Sequence, residues 1–166
     1  MSSKFQRIMV LLVVIFAMFS CSNTTRMVNQ RVTDAAQIQS VLEQKNFTFV
    51  AESVLPMRGT LRMLNERYDL QVKGDTLISD LPYFGRARTA PMNPSDVGIH
   101  FTSTKYNYDI SQAGKKSRNI VIKPLDHNDV RQMILQVFDN GKATLNVTQN
   151  SKDAISYNGY IRANPQ

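Results

Sequence analysis

The chain of 166 residues is moderately basic, with 20 Lys and Arg against 13 Asp and Glu, and it contains one cysteine. A single thiol excludes an intramolecular disulfide framework, so stability has to come from an apolar core, which a chain of this length can bury. Because the net charge is moderate, the position of the charges matters more than their sum.

The first 20 residues have the pattern of a secretory signal peptide. Lys4 and Arg7 form a basic start without an acid, and an apolar run of 12 residues follows at 8–19. This run is too short to cross a bilayer, which takes about 20 apolar residues, but it has the length of a signal-peptide core. We therefore predict export and removal of residues 1–20.

The only cysteine, Cys21, follows this apolar run directly, after the small Ser20. The stretch MFSC at 18–21 resembles a bacterial lipoprotein signal. The resemblance implies that the Cys21 sulfur takes a diacylglycerol, that cleavage precedes it and that the new amine is acylated. Several acyl chains anchor a protein without a transmembrane helix. The alternative is an incidental cysteine at the end of an ordinary signal peptide.

A polar, aperiodic segment at 22–32 predicts a flexible tether behind the lipidated Cys21. A short amphipathic helix comes next, since apolar residues recur at spacings of three and four between Ala35 and Leu42. Thr33 or Asp34 supplies its N-cap.

After the helix the apolar period changes to two, which is typical of half-buried strands. Turn-forming sequences at 73–76, 139–142 and 150–153 separate several of these strands. We therefore predict, over 33–166, a single mainly β domain: an antiparallel meander of eight or nine strands forming a curved sheet, sandwich or barrel. The predicted strands are 47–55, 68–73, 76–83, 98–103, 105–111, 118–124, 130–138, 142–149 and 153–162, with a loop at 56–67.

Three segments together resemble a family of exported Bacteroidetes lipoproteins known as domain of unknown function 4251. They read LPMRG at 55–59, SDLPYFGRA at 79–87 and NGKATLNVTQNSKDAISYNGYI at 140–161. The resemblance implies a lipoprotein with a β-rich domain and supplies no activity. The chain after Cys21 lacks an acidic cluster of the kind that resembles surface-export signals in these bacteria, which favours an outer-membrane anchor facing the periplasm.

One further short motif resembles a modification signal of these bacteria. The residues DTL at 75–77 look like the three-residue O-glycosylation motif used on exported proteins, and they lie at a predicted hairpin turn. Thr76 is therefore a candidate for O-glycosylation.

The sequence contains no motif of a catalytic or metal site. His100 lies on the polar side of a predicted strand, and His127 lies in the polar loop LDHNDV, which lacks the pattern and the glycine of a calcium loop. A catalytic triad needs a nucleophile beside a base that a third group orients, and we interpret His100 as a solvated strand residue and His127 as part of a polar turn. We therefore predict a non-catalytic protein without a metal or cofactor; a hydrolytic enzyme is the least favoured alternative.

Arginines and aromatic residues concentrate in two segments, PMRG at 56–59 and YFGRAR at 83–88. In a meander the ends of alternate strands meet, so both segments come to the same end of the sheet. Guanidinium groups bind anions bidentately and aromatic faces stack on sugars. We hypothesise that this rim binds an anionic glycan, lipid headgroup or peptide through Arg58, Arg62, Tyr83, Phe84, Arg86 and Arg88.

Two other interpretations of this rim stay open. Tyr83 could belong to the core while the arginines are simply solvated, or the protein could be a structural subunit that binds an envelope protein. Outside the cytoplasm we expect no nucleic-acid partner.

The sequence also leaves open whether 98–111 forms two strands joined by a turn near Ser103–Lys105 or one bent strand. We favour the turn. It would place nine basic and three acidic residues, a net charge of +6, at the rim: Arg58, Arg62, Arg67, Arg86, Arg88, Lys115, Lys116, Arg118 and Lys142 against Glu66, Asp96 and Asp139. A single bent strand would move the later loops to the opposite end.

Overall fold

The structure is a computed structural model that describes residues 34–88 and 98–165. Cys21, the predicted signal peptide and the predicted tether lie outside the described residues. The described residues form one helix and nine strands. They are α1 (Ala35–Glu43), β1 (Asn46–Pro56), β2 (Arg62–Lys73), β3 (Thr76–Leu81), β4 (Ile99–Ser103), β5 (Tyr106–Gln112), β6 (Ser117–Pro124), β7 (Val130–Phe138), β8 (Lys142–Gln149) and β9 (Ile155–Ala163).

All nine strands belong to one antiparallel sheet in the order β4-β3-β2-β1-β9-β8-β7-β6-β5. The sheet curls into a nearly closed barrel around one apolar core, so the predicted fold class is confirmed. Inward and outward residues alternate along β8 and β9, where every second residue is buried.

A bend between β4 and β5 joins the two edge strands of the nearly closed barrel. These strands stand at opposite ends of the strand order, and only Thr104 and Lys105 separate them in sequence. Eight antiparallel pairings lead from β4 round to β5, so the two strands run in the same direction and the chain does not reverse. The favoured turn near Ser103 is therefore wrong, and 98–111 is one bent strand.

A carboxylate holds this bend. Asp126 accepts a hydrogen bond from the Ser103 hydroxyl through one oxygen and from the Thr104 N–H, at 2.9 Å, through the other. These hydrogen bonds lower the pKa of the Asp126 carboxyl. The Leu125 N–H donates to the Lys105 carbonyl at 2.8 Å, which ties the bend to the chain beyond β6.

Because the chain does not reverse at this bend, the connections between strands lie alternately at two ends of the barrel. At the loop end, the Met57 N–H donates to the Ala154 carbonyl at 3.3 Å and the Arg88 N–H to the Ser151 carbonyl at 2.7 Å. At the helix end, the Gly74 N–H donates to the Lys45 carbonyl at 2.8 Å. The loop end comprises 57–61, 82–88, 125–129 and 150–154, and the helix end comprises α1, 74–75, 113–116 and 139–141.

This arrangement corrects the predicted charge distribution. Lys116 lies at the helix end, where its carbonyl accepts the Asp139 N–H at 3.1 Å, and Arg118 pairs with Asp139 there. The predicted concentration of nine basic residues on one rim is therefore wrong. Five residues that were predicted on the rim lie at the helix end instead: Lys115, Lys116, Arg118, Lys142 and Asp139.

Helix α1 covers the helix end of the barrel. Asp34, one of the two predicted candidates, is its N-cap and accepts the Ala36 N–H at 3.1 Å. Ile38 and Leu42 are completely buried in the core. The Tyr108 hydroxyl donates to the Leu42 carbonyl at 2.8 Å, and burial raises the pKa of this phenol.

Strand β2 begins earlier than the sequence indicates. Residues 62–67 were expected in a loop, but Arg62 pairs with Val54 and Met63 with Ser53 across the β1–β2 hairpin. No alternating pattern marks this part of β2, because 62–67 are exposed or half-exposed on both faces. The strand forms here because these residues pair with β1, and a hydropathy pattern does not reveal such pairing.

Gly159 is required by close contact between β9 and β1. A Cβ atom at this position would lie 1.9 Å from the Val50 carbonyl oxygen, which belongs to the backbone and cannot rotate away. We expect Gly159→Ala to lower the free energy of unfolding by about 3 kcal/mol, because the two strands must separate. Chemical denaturation measures this change.

Asn158→Ala, on the exposed side of the same strand, is the matched control. It should change the free energy of unfolding by no more than about 1 kcal/mol. Equal effects of the two substitutions would contradict the close approach at Gly159.

Candidate functional site

Exposed apolar side chains concentrate on the β1–β2 hairpin at the loop end. Met57 is 67% exposed and Met63 is 69% exposed. The arginines of this hairpin are exposed too, and residues 53–65 contain no acid. We call this set, together with a phenylalanine that contacts it, the apolar-arginine surface. It consists of Leu55, Met57, Arg58, Leu61, Arg62, Met63 and Phe84.

The contact that joins the hairpin to the 82–88 segment is a cation–π pair. The guanidinium carbon of Arg62 lies 5.2 Å from the centroid of the Phe84 ring, and Phe84 remains 42% exposed. The two sequence-predicted residues therefore contact each other. Arg58 is exposed on the same hairpin.

Tyr83 does not face solvent beside the arginines. It is only 8% exposed, and its hydroxyl lies within hydrogen-bond distance of two carbonyl oxygens, at 2.9 Å from Arg86 and 3.0 Å from Asp153. Burial and the nearby Asp153 charge raise the pKa of its phenol. Tyr83 thus belongs to the core and joins 82–88 to 150–154.

Arg86 and Arg88 lie on the edge that Tyr83 secures. The Asp153 N–H donates to the Arg86 carbonyl at 3.0 Å, and the Arg88 Nε lies 3.0 Å from an oxygen of the Asp153 carboxylate. Both arginine side chains are exposed. Asp153 partly compensates the charge of Arg88, so Arg58, Arg62 and Arg86 carry most of the uncompensated charge.

The candidate modification site lies far from this surface. Thr76 is half-buried at the start of β3 and pairs with Lys73 across the tight turn at the helix end. The Tyr106 hydroxyl donates to the Gly74 carbonyl in the same turn.

A polar cleft opens beside β4, and sequence reasoning did not find it. It has a volume of ≈ 250 Å³, and its walls come from β4, the loop before β7 and the chain at the end of β8. The rings of Phe101 and His127 lie in these walls with their centroids 4.5 Å apart. Neither the predicted arginines nor Tyr83 and Phe84 line this cleft.

The cleft contains a fixed pair of opposite charges. Asp129 accepts the Ser151 N–H at 2.9 Å and the Gln149 side-chain amide at 3.1 Å. Burial opposes ionisation of Asp129, but the hydrogen bonds from Ser151 and the charge of Lys152 outweigh it and lower the carboxyl pKa. Lys152 is only 7% exposed and donates to the Gly98 carbonyl at 2.9 Å.

His100 contacts a carboxylate on the neighbouring strand β3. The Nδ1 atom of His100 lies 2.7 Å from a carboxylate oxygen of Asp80. Within 34–88 and 98–165, no group of three or more His, Cys, Asp or Glu is placed to hold a metal ion. Over the same ranges no helix has the length and hydropathy needed to span a membrane.

The fold and these surfaces define a small, mainly β protein, whose described residues form a nearly closed barrel and one covering helix. Residues 29–161 match the sequence model of the family described as Domain of unknown function (DUF4251), so the chain belongs to this family. The resemblance identified from the sequence is confirmed.

The chain is also similar to a solved structure, the crystal structure of a DUF4251 family protein from Bacteroides eggerthii DSM 20697. The TM-score is 0.62 with 14% identity, and the match covers 80% of this chain and 89% of that chain. At this identity the likeness shows the fold alone. Comparison with functionally curated proteins gave no match.

The structural role of Tyr83 separates it from its neighbour Phe84. Tyr83→Phe removes a buried hydroxyl and leaves carbonyl acceptors without this donor, so the free energy of unfolding should fall by about 1 to 2 kcal/mol. Phe84→Ala removes an exposed ring and should change it by no more than about 0.5 kcal/mol. Thermal or urea denaturation measures both. An equal or larger effect of Phe84→Ala would contradict this assignment.

Proposed function

We propose that this protein is an exported, lipid-anchored module without catalytic activity, and that its apolar-arginine surface binds a protein partner. The partner would present apolar side chains together with carboxylates. The observation that carries this proposal is the grouping of exposed large apolar residues around Arg58 and Arg62.

This grouping is uneven over the molecule. Eight large apolar side chains are exposed among the described residues, and five of them belong to the apolar-arginine surface. Scattered exposed apolar residues need no explanation, whereas a grouped set indicates an interaction site. Methionine side chains adapt their shape to a partner, and two of the five are methionines.

The charge of the surface supports an acidic partner. Residues 53–65 and 81–88 each contain two arginines and no acid. Arginine is enriched at protein interfaces, where its guanidinium group binds carboxylates bidentately. The carboxylates of a complementary acidic segment would pair with Arg58 and Arg62 and so fix its position. Its apolar residues would cover Met57 and Met63.

The position of the anchor favours a protein over the anchoring bilayer as the partner. Described residues begin at Asp34, at the helix end, and the loop end lies across the length of the barrel. The 12 residues at 22–33 span about 40 Å at full extension. Strand β1 alone is about 36 Å long. With the barrel axis perpendicular to the bilayer and the loop end facing it, the apolar-arginine surface would reach the same bilayer only if the tether were nearly taut.

A small anionic ligand finds less support at this rim. Such a ligand would need a concave site lined by Phe84 and the arginines, whereas Met57 and Met63 are widely exposed on the same hairpin. The rim therefore supports a protein or peptide partner better than a glycan or a lipid headgroup.

Site-specific crosslinking in cells tests this surface. A photoreactive amino acid at position 57 should crosslink the full-length protein to another protein, because this side chain is exposed within the proposed interface. The paired substitutions Arg58→Glu and Arg62→Glu should lower the yield about tenfold or more, since they reverse two charges at the interface.

The control changes the net charge equally at the opposite end. Lys115→Glu with Lys116→Glu should leave the crosslink unchanged, because both lysines lie at the helix end. Crosslinking to phospholipid, or to no macromolecule, would contradict the proposal, as would an equal loss in the control.

Mass spectrometry tests the anchor. The mature protein should begin at Cys21 and carry the mass of its acyl groups, and Cys21→Ser should release it from the membrane fraction. A native protein with a free Cys21 thiol, or one that retains residues 1–20, would contradict the anchor.

A further inference from the structure

We infer that the cleft beside β4 is a binding site for a neutral sugar unit, separate from the apolar-arginine surface. The inference rests on an unpaired buried acceptor, on N–H groups in the same walls and on an aromatic pair at the cleft.

The acceptor is the side-chain carbonyl oxygen of Gln149. Gln149 is 3% exposed, and its amide nitrogen donates to Asp129 at 3.1 Å, but its oxygen has no hydrogen-bond partner in the part of the chain that the structure describes. Leaving a buried acceptor unpaired is unfavourable. This oxygen has almost no accessible surface, so a ligand hydroxyl would reach it and remove that cost when the amide turns toward the cleft.

Donors lie in the same walls. The Val130 N–H donates to Nδ1 of His127 at 3.4 Å, so the neutral imidazole carries its proton on Nε2 and can donate from there. The Lys152 ammonium adds a second N–H group and a positive charge to the wall. A hydroxyl both donates and accepts, so a ring with several hydroxyls matches this mixture of groups.

The apolar part of the cleft matches the other face of a sugar. Phe101 and His127 form a tilted ring pair, and both are only half-buried. Ile99 and Val130 line the same cleft. A pyranose presents C–H groups on one face and hydroxyls at its edges, so it can contact an aromatic ring and polar walls together.

The charge of the cleft walls and the volume of the cleft limit the class of ligand that it can bind. Asp129 and Lys152 compensate each other, so the walls offer no net charge for an anion, and a carboxylate on the ligand would face that of Asp129. The volume of ≈ 250 Å³ is below the range of about 300 to 1,000 Å³ of drug-sized sites, which suits one sugar unit. Several water molecules would otherwise fill it, at about 30 Å³ each.

The cleft has the features of a binding site and not of a hydrolytic one. Both carboxylate oxygens of Asp129 already accept hydrogen bonds, from Ser151 and from Gln149. The carboxylate of Asp80 contacts His100, and Asp80 does not line the cleft. A pair of carboxylates on either side of a bound sugar, as glycoside hydrolysis requires, is not present among the described residues that line the cleft.

Titration followed by two-dimensional amide NMR tests the site. The full-length protein is kept in a zwitterionic detergent that has no sugar headgroup. D-glucose, D-galactose, D-mannose and N-acetyl-D-glucosamine are the sugar probes, with glycine and inorganic phosphate as comparators. We expect saturable shifts for at least one sugar at 98–101 and 127–130, and none for the comparators.

Two substitutions identify the contacts. Gln149→Met removes the unpaired acceptor at similar volume, and His127→Phe keeps a ring beside Phe101 but removes the N–H. Each should weaken sugar binding about tenfold, the effect of one hydrogen bond. Thermal denaturation confirms that each variant is folded. Arg58→Glu with Arg62→Glu should leave sugar binding unchanged.

The inference is overturned if no sugar produces saturable shifts at the cleft or if the shifts map to another surface. Preferential binding of phosphate or glycine overturns the ligand class. Unchanged affinity in both folded cleft variants overturns the assignment of Gln149 and His127.

Discussion

The bend at Thr104–Lys105 determines where each connection of the barrel lies. Asp126 accepts hydrogen bonds from Ser103 and Thr104, so the chain continues in one direction from β4 into β5. The first half of this bent strand pairs with β3 and the second half with β6. One continuous segment thus supplies both edge strands of the sheet.

The two ends of the barrel have different chemistry as a consequence. Helix α1 covers one end through Ile38 and Leu42, and the predicted lipid anchor would attach there. The other end carries the apolar-arginine surface, while the cleft beside β4 draws on the loops before β7 and after β8. The two proposed sites share no residue.

Local features were predictable from the sequence, and long-range pairings were not. The Asp34 cap and the strand periodicity depend on near neighbours. Phe101 is at an odd position and Tyr106 at an even one, so the inward-facing side of the strand changes between them, which fits a turn or a bend equally well. The two are distinguished by strand pairing, of Ser103 with Leu77 and of Tyr106 with Pro124.

The same limit applies to the sites. The arginines and Phe84 were identified because arginine and aromatic types stand out in one short segment. The burial of Tyr83 depends on Asp153, 70 positions away in sequence. The cleft is formed by three segments that are separate in sequence. Nothing in the sequence marked Gln149 as a buried cleft residue, because a glutamine at the end of a strand is usually exposed.

Nuclear Overhauser measurements between backbone protons test the bend most directly. The bent strand predicts contacts of Ser103 with Leu77 and of Asn107 with Lys123, without cross-strand contacts between β4 and β5. A ladder of contacts between 99–103 and 106–112, as in a hairpin, would contradict it. That result would also remove the separation of the loop end from the helix end.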